Sequence, residues 1–254
     1  MPGIIDQIAQ LAADSDLAKF KWTDDNGDKD RAPLAYVKGM AVVYARVYGR
    51  LKAGDAAAAE MAKKKTGDAD KDALTWYEEK FADAGMSNDA DGVDTLRHLF
   101  VLLVGLGIRE SSGRHCVGRY RKQDFKNSDD AEAGLFQASY NVTRSCPAIL
   151  TNLFNLYSAN PDGFLDIFQV GIHCSADDWQ NWGKENEPGY KWQQLTKTCP
   201  AFAAEFAAVG LRHDRQNWGP IIRRQAEIVP SCDALFKAVE QLVDKAEDAS
   251  ALVA

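Results

Sequence analysis

Apolar residues recur every three to four positions through most of this chain, a spacing that predicts a protein built almost entirely of helices. In residues 3–14, Ile4, Ile5, Ile8 and Leu11 mark one helical face, and in residues 34–52 Tyr36, Met40, Val43, Tyr44 and Tyr48 do the same. An Ala- and Lys-rich helix is expected at 55–65, and another at 70–84 carrying Trp76 and Tyr77. Asn88 to Asp91 has the composition of a loop and helix cap, so a central helix is predicted from about 92 to 109. Proline is tolerated in a first helical turn. Cys146-Pro147 and Cys199-Pro200 therefore predict helix starts for 147–158 and 200–211. Shorter helices are expected at 163–171 and 219–228. A last one, about 232–247, has Ser231 as its cap and Leu235, Val239, Leu242 and Val243 on one face. The result is a mainly α fold, with residues 1–90 as a helical N-terminal extension and residues 91–254 as the main domain, together forming one unit. No internal repeat is evident.

The central helix carries the most informative position. The run from Leu99 to Ile108 is one of the most apolar in the chain, and it leads into Glu110, Ser111, Ser112 and Gly113. The C-terminus of a helix carries partial negative charge, which disfavours a second negative charge there. Desolvation acts in the same direction, so the carboxyl is expected to hold its proton to higher pH. A carboxylic acid protonated near neutrality is what cleavage of a glycosidic bond requires. Position alone better suits an ordinary helix-end residue turned to solvent, so the rest of the chain decides. Residues 111–132 lack apolar periodicity and read as a long loop or short hairpin, a length usually tied to function. Then comes Ala131 to Asn141, with Gly134 placed 24 residues beyond Glu110. Gly134 lets a backbone approach closely, and Gln137, Ser139, Tyr140 and Asn141 offer hydrogen-bonding groups suited to sugar hydroxyls and acetamides.

Together these two segments resemble the lysozyme-like superfamily. Its goose-type lysozymes and soluble lytic transglycosylases pair a helix-ending Glu-Ser with a later Gly-Leu-Met-Gln; here the matching residues are Glu110-Ser111 and Gly134-Leu135-Phe136-Gln137. The resemblance implies a lysozyme-like fold with a buried central helix ending at the catalytic acid, Glu110. It also implies a sugar cleft lined by Gly134 to Gln137. It covers roughly residues 92–225. Phe136 stands where the family has Met, and the family's aromatic segment nearer the C-terminus has its best counterpart in Gly210 to Gly219, which contains Trp218. Residues 1–90 match nothing in the family.

A hydrolase of this kind needs a second carboxylate. The candidates are Asp124, Asp129, Asp130 and Glu132, with Glu132 and Asp130 preferred. An inverting enzyme holds that group about 6.5–9.5 Å from the acid and a retaining one about 5–5.5 Å away. A lytic transglycosylase needs none, so the acidic cluster favours hydrolysis. Ser111, Gly134, Phe136, Gln137, Tyr140, Asn141 and Trp218 are the expected substrate-binding residues. Trp179, Trp182, Tyr190 and Trp192 are further aromatics that either stack on sugars or pack in the core. Ser111 and Ser112 are expected to position Glu110 or satisfy the helix end.

Composition narrows the partners. Thirty basic against thirty-seven acidic residues give a net charge of −7, which disfavours nucleic acid. No stretch reaches the length of a membrane span. From Arg109 to Lys126, six basic residues (Arg109, Arg114, Arg119, Arg121, Lys122 and Lys126) outnumber Glu110 and Asp124. That local reversal suits an anionic glycan such as peptidoglycan, or else pairs internally with the acidic cluster at 129–132. Chitin and other bacterial polysaccharides remain open as substrates. So does glycan binding without turnover. A calcium loop at Asp24–Asp30 is disfavoured, because Lys29 and Ala35 replace the turn glycine and closing Glu. No metal or cofactor is expected. His115, His173 and His213 sit beside no nucleophile motif, and Gly105 and Gly107 make no nucleotide fingerprint. The five cysteines, 116, 146, 174, 199 and 232, lack metal spacing; they are either reduced or form one or two disulfides, with at least one left free. The first residues lack the basic head and apolar core of an export signal. The proposed substrate nevertheless favours a secreted or periplasmic site of action.

Overall fold

Helix α1 (Ile4–Asp14) buries Ile4, Ile8 and Ala12 against α2 (Leu34–Lys52), whose bounds are those the periodicity predicts. The computed structural model describes residues 3–23, 29–118, 126–246 and 252. Between the first two helices, β1 (Lys21–Thr23) and β2 (Lys29–Arg31) pair antiparallel, with Trp22 opposite Asp30. The two strands flank the polar turn, whose residues 24–28 lie outside the described residues, as does the calcium reading placed on them.

The segment expected at 55–65 is helical only as α3 (Ala56–Met61), capped by Asp55. The expected helix at 70–84 is two short ones, α4 (Ala73–Trp76) and α5 (Glu78–Asp83). The break falls at Tyr77, which is buried and accepts a hydrogen bond from the Ala226 amide at 3.2 Å, while the Trp76 indole donates to the Ile221 carbonyl at 3.0 Å. These distant tethers override the local helical preference.

Helix α6 (Val93–Ser111) is the centre of the molecule. Every residue from Thr95 to Ile108 is buried. It packs against α2, α10 (Pro200–His213) and α12 (Pro230–Lys245). Between them in sequence lie α7 (Pro147–Ala159), α8 (Leu165–Phe168), α9 (Pro188–Thr198) and α11 (Gly219–Ile222). Helices α8 and α11 are shorter than the segments expected at 163–171 and 219–228. Pro230 occupies the first turn of α12, and its cap is Val229 rather than Ser231. Helix α9 was not expected: its buried face includes Gln193 and Lys197 beside Trp192 and Leu195, so the apolar period is broken by polar groups.

The chain is mainly helical, and one hydrophobic core draws on residues from both sides of position 90, from Ile4 to Leu252. Polar anchors join its parts. Arg97 of α6 contacts Asp233 at 2.6 Å and Glu240 at 2.9 Å on α12. Arg212 of α10 pairs with the buried Asp72 at 2.9 Å. Buried ion pairs of this kind add little net stability over apolar packing, but losing one partner strands a charge. No helix among the described residues is long and apolar enough to cross a membrane.

Candidate active site at the end of the central helix

The chain turns sharply where α6 ends. Ser112 and Gly113 are both left-handed, with φ of 53° and 72°. The Ser112 amide closes on the Ile108 carbonyl at 2.9 Å and the Gly113 amide on the Gly107 carbonyl at 3.1 Å. Ser111 is buried and its hydroxyl donates to the Gly107 carbonyl at 2.9 Å. It therefore satisfies the helix end, one of the two roles expected for it. Tyr36 of α2 braces this end: its buried hydroxyl donates to the Val104 carbonyl at 3.0 Å. A Cβ on Gly113 would stand 2.9 Å from the Tyr36 ring, so only glycine allows the approach. Glu110 is half-buried in the last turn of α6 and has interaction partners within the protein.

The second predicted segment folds as a tight turn beside that helix end. Ala133 and Ala138 form an antiparallel bridge, their N–H to carbonyl distance 3.0 Å. Gly134, at φ 78°, sits so close to α9 that a Cβ would stand 2.9 Å from Thr196 Oγ1. The Gly134 amide donates to the Val117 carbonyl at 2.8 Å, and the Gln137 side-chain amide to the Gly134 carbonyl at 2.9 Å. The Phe136 ring lies against Gly107, where a Cβ would be 3.2 Å from it. Gly107 and Glu110 are three residues apart and share one face of α6. The turn is thus packed against α6 one helical turn before Glu110.

Two expected sugar contacts are placed differently. Phe136 and Trp218 are both fully buried, and the Trp218 indole donates to the Phe136 carbonyl at 2.9 Å. They hold the turn rather than face a ligand; their size and apolarity put them in the core. Trp192 is buried as well, whereas Trp179 is 39% exposed beside the His115 ring. Tyr140 is half-buried, edge-on to Phe154. Asn141 gives its amide to Asp130, and its side-chain carbonyl oxygen is buried without a partner.

The two preferred second carboxylates differ in setting. Asp130 ends a short 3₁₀ turn (Ser128–Asp130) and is held by Asn141. Glu132 is half-buried between the buried Ala131 and Ala133, and burial raises its pKa above the ordinary carboxylate value. Asp124, Arg119, Arg121 and Lys122 lie outside the described residues.

The segment that receives the turn is itself anchored. Cys116 and Cys174 form a disulfide, while Cys146, Cys199 and Cys232 are free. His115 contacts the Lys197 carbonyl through Nδ1 at 2.9 Å, and burial lowers its pKa. Lys197 is buried, its ammonium donating to the carbonyls of Asp178 at 2.9 Å and Gln180 at 3.1 Å; burial brings its pKa down to about 8. His115, Cys116 and Cys174 lie close enough to suggest a metal cluster, but the disulfide consumes both sulfur ligands.

On another face of the same helix end, Ile108 and Ser112 border a groove of about 470 Å³ shared with Trp22, Arg114 and His173. Sequence reasoning did not place Trp22 here. The available signal was the hairpin that puts Trp22 opposite Asp30 across the polar turn. No family model matches the chain, and neither a curated protein nor a solved structure matches it.

Proposed function

We propose that this protein is a lysozyme-like glycoside hydrolase that cleaves a β-1,4-linked amino-sugar polysaccharide, most fittingly peptidoglycan, with Glu110 as general acid. The observation that carries the reading is the packing of Phe136 on Gly107. It sets the turn from Gly134 to Gln137 beside the last turn of the buried helix that bears Glu110. The two segments that resemble the superfamily are therefore neighbours, although separated by more than twenty residues of chain.

In this mechanism Glu110 gives its proton to the departing glycosidic oxygen as positive charge develops on the sugar ring. Glu132 is the second carboxylate. No other side chain among the described residues holds it, and its raised pKa makes it a stronger base for activating water. Asp130 serves differently: its contact with Asn141 fixes that side chain beside the turn. Gln137, half-buried at the turn, holds the turn's shape by donating its side-chain amide to the Gly134 carbonyl. The Cys116–Cys174 disulfide supports action in an oxidising compartment.

Turbidity clearing of bacterial cell walls tests the reading. Wild type is expected to clear them, and Glu110→Gln to lose at least about a hundredfold in rate. Equal clearing by both proteins refutes the proposed acid. Mass spectrometry of the products then separates hydrolysis, which leaves reducing ends, from transglycosylation, which leaves 1,6-anhydro ends. Saccharide binding without turnover would instead identify a non-catalytic glycan-binding protein.

A further inference from the structure

We infer that the groove between the β-hairpin and the C-terminal turn of α6 is a subsite for a carboxylate-bearing group of the glycan, held by Arg31 and Arg114 with His173 as an additional donor. This rests on the hydrolase reading for its place in a reaction, but the groove's chemistry is independent of Glu110.

The charge of the groove opposes that of the molecule. The protein carries −7 overall, yet Arg31, Arg114 and His173 all line this groove of about 470 Å³. Arg31 is exposed and makes no ion pair among the described residues. Arg114 has only a 4.0 Å approach to Asp178. Asp178 is already engaged by the amide and hydroxyl of Ser175, both at 2.8 Å. Among the described residues, the one acidic group lining the groove, Asp30, accepts the Arg31 backbone amide at 2.7 Å. Arg31 is thus available and Arg114 only loosely held at the 4.0 Å limit of its contact with Asp178, so both guanidinium groups can turn to fork onto a carboxylate, the geometry in which arginine binds best.

A second observation points to a missing ligand. Trp22 lines the same groove and is buried, and its indole N–H has no hydrogen-bond partner. An unmet buried donor is uncommon in a folded protein; the nitrogen itself is closed to solvent, so a saccharide oxygen meets it once the ring turns toward the groove. The groove's location suits an extended polymer. Ile108 and Ser112 belong to the same helix end as Glu110 but face another side of it. A chain with its scissile bond at Glu110 reaches the groove by crossing the end of the helix. A glycan whose sugars alternate between a neutral acetamido sugar and one bearing a lactyl-ether carboxylate has the matching charge; a chitin chain does not.

Calorimetry on the full chain tests this with two disaccharides, one of neutral N-acetylglucosamine units and one carrying the lactyl carboxylate. Wild type is expected to bind the acidic disaccharide more tightly. The Arg31→Gln/Arg114→Gln double variant should lose about tenfold or more for the acidic ligand and less than about twofold for the neutral one. Trp22→Phe, which keeps an aromatic ring, though a smaller one, and removes the N–H, should weaken both. Both arginines are solvent-accessible, so an unchanged melting temperature is expected for the double variant. Equal affinity of wild type for the two ligands, or equal losses in the double variant, overturns the inference. Hydrolysis assays on the same proteins keep the two readings apart. A preserved carboxylate preference without turnover refutes the hydrolase and leaves the subsite; turnover without the preference does the reverse.

Discussion

Glu132 and Asp130 stand two positions apart, yet their surroundings assign them different tasks. Asp130 is bound to Asn141, whereas Glu132 is half-buried with its pKa raised by desolvation. A carboxyl with a folded pKa above its unfolded value favours the folded state fully below the unfolded value, near 4.5. That contribution fades as pH rises through the folded value. Glu132→Gln is therefore expected to raise the melting temperature at pH 7 and to change it little at pH 4, which thermal unfolding at the two pH values checks. A destabilisation at pH 7 would mean that Glu132 is paired. At this scale the sequence was legible where chemistry follows from local context: the Ser111 hydroxyl does satisfy a carbonyl of the helix end. It was misleading for Phe136 and Trp218. Aromatic residues in a sugar-binding motif and aromatic residues in a core look alike until the packing partner, here Gly107 and the Phe136 carbonyl, is known.

The elements that position the site were largely readable, because α2 and α6 are long and their apolar content dominates local preference. Elements set by tertiary contacts were not. The break at Tyr77 comes from tethers more than 140 residues away in sequence, and α9 hides behind its buried Gln193 and Lys197. The tight turn after Ala133 was legible only as a motif; its strain is a matter of geometry. Gly134 combines positive φ with a close approach to Thr196. Gly134→Ala is expected to cost about 1–3 kcal/mol and to lower glycan turnover with it. Gly171→Ala, also at positive φ but with open space around it, should cost less. Chemical denaturation of the two variants compares them; equal costs would mean that the contact with α9 is unimportant.

At the scale of the whole molecule, a single core joins the N-terminal helices to the segment bearing the site, and the disulfide ties the strip around Val117 to the loop before α9. The cysteine spacings alone left the pairing open. Cys116 and Cys174 lie 58 residues apart in sequence, and closing a loop of that size stabilises by about 2–4 kcal/mol. Cys116→Ser/Cys174→Ser is expected to lower stability by that amount, measured by denaturation, and to reduce turnover through the loosened contact of Val117 with Gly134. Turnover unaffected at a temperature where the variant is folded would separate the disulfide from the site. The proton donated by Glu110 remains the centre of the account. Its most direct test is to compare Glu110→Gln with wild type on two substrates, an unmodified β-1,4-linked glycan and a dinitrophenyl chito-oligosaccharide whose leaving group needs no protonation. Glu110→Gln is expected to lose about a hundredfold or more on the first and to keep near wild-type rates of bond cleavage on the second. Equal rates with wild type on both, or equal losses on both, would contradict it.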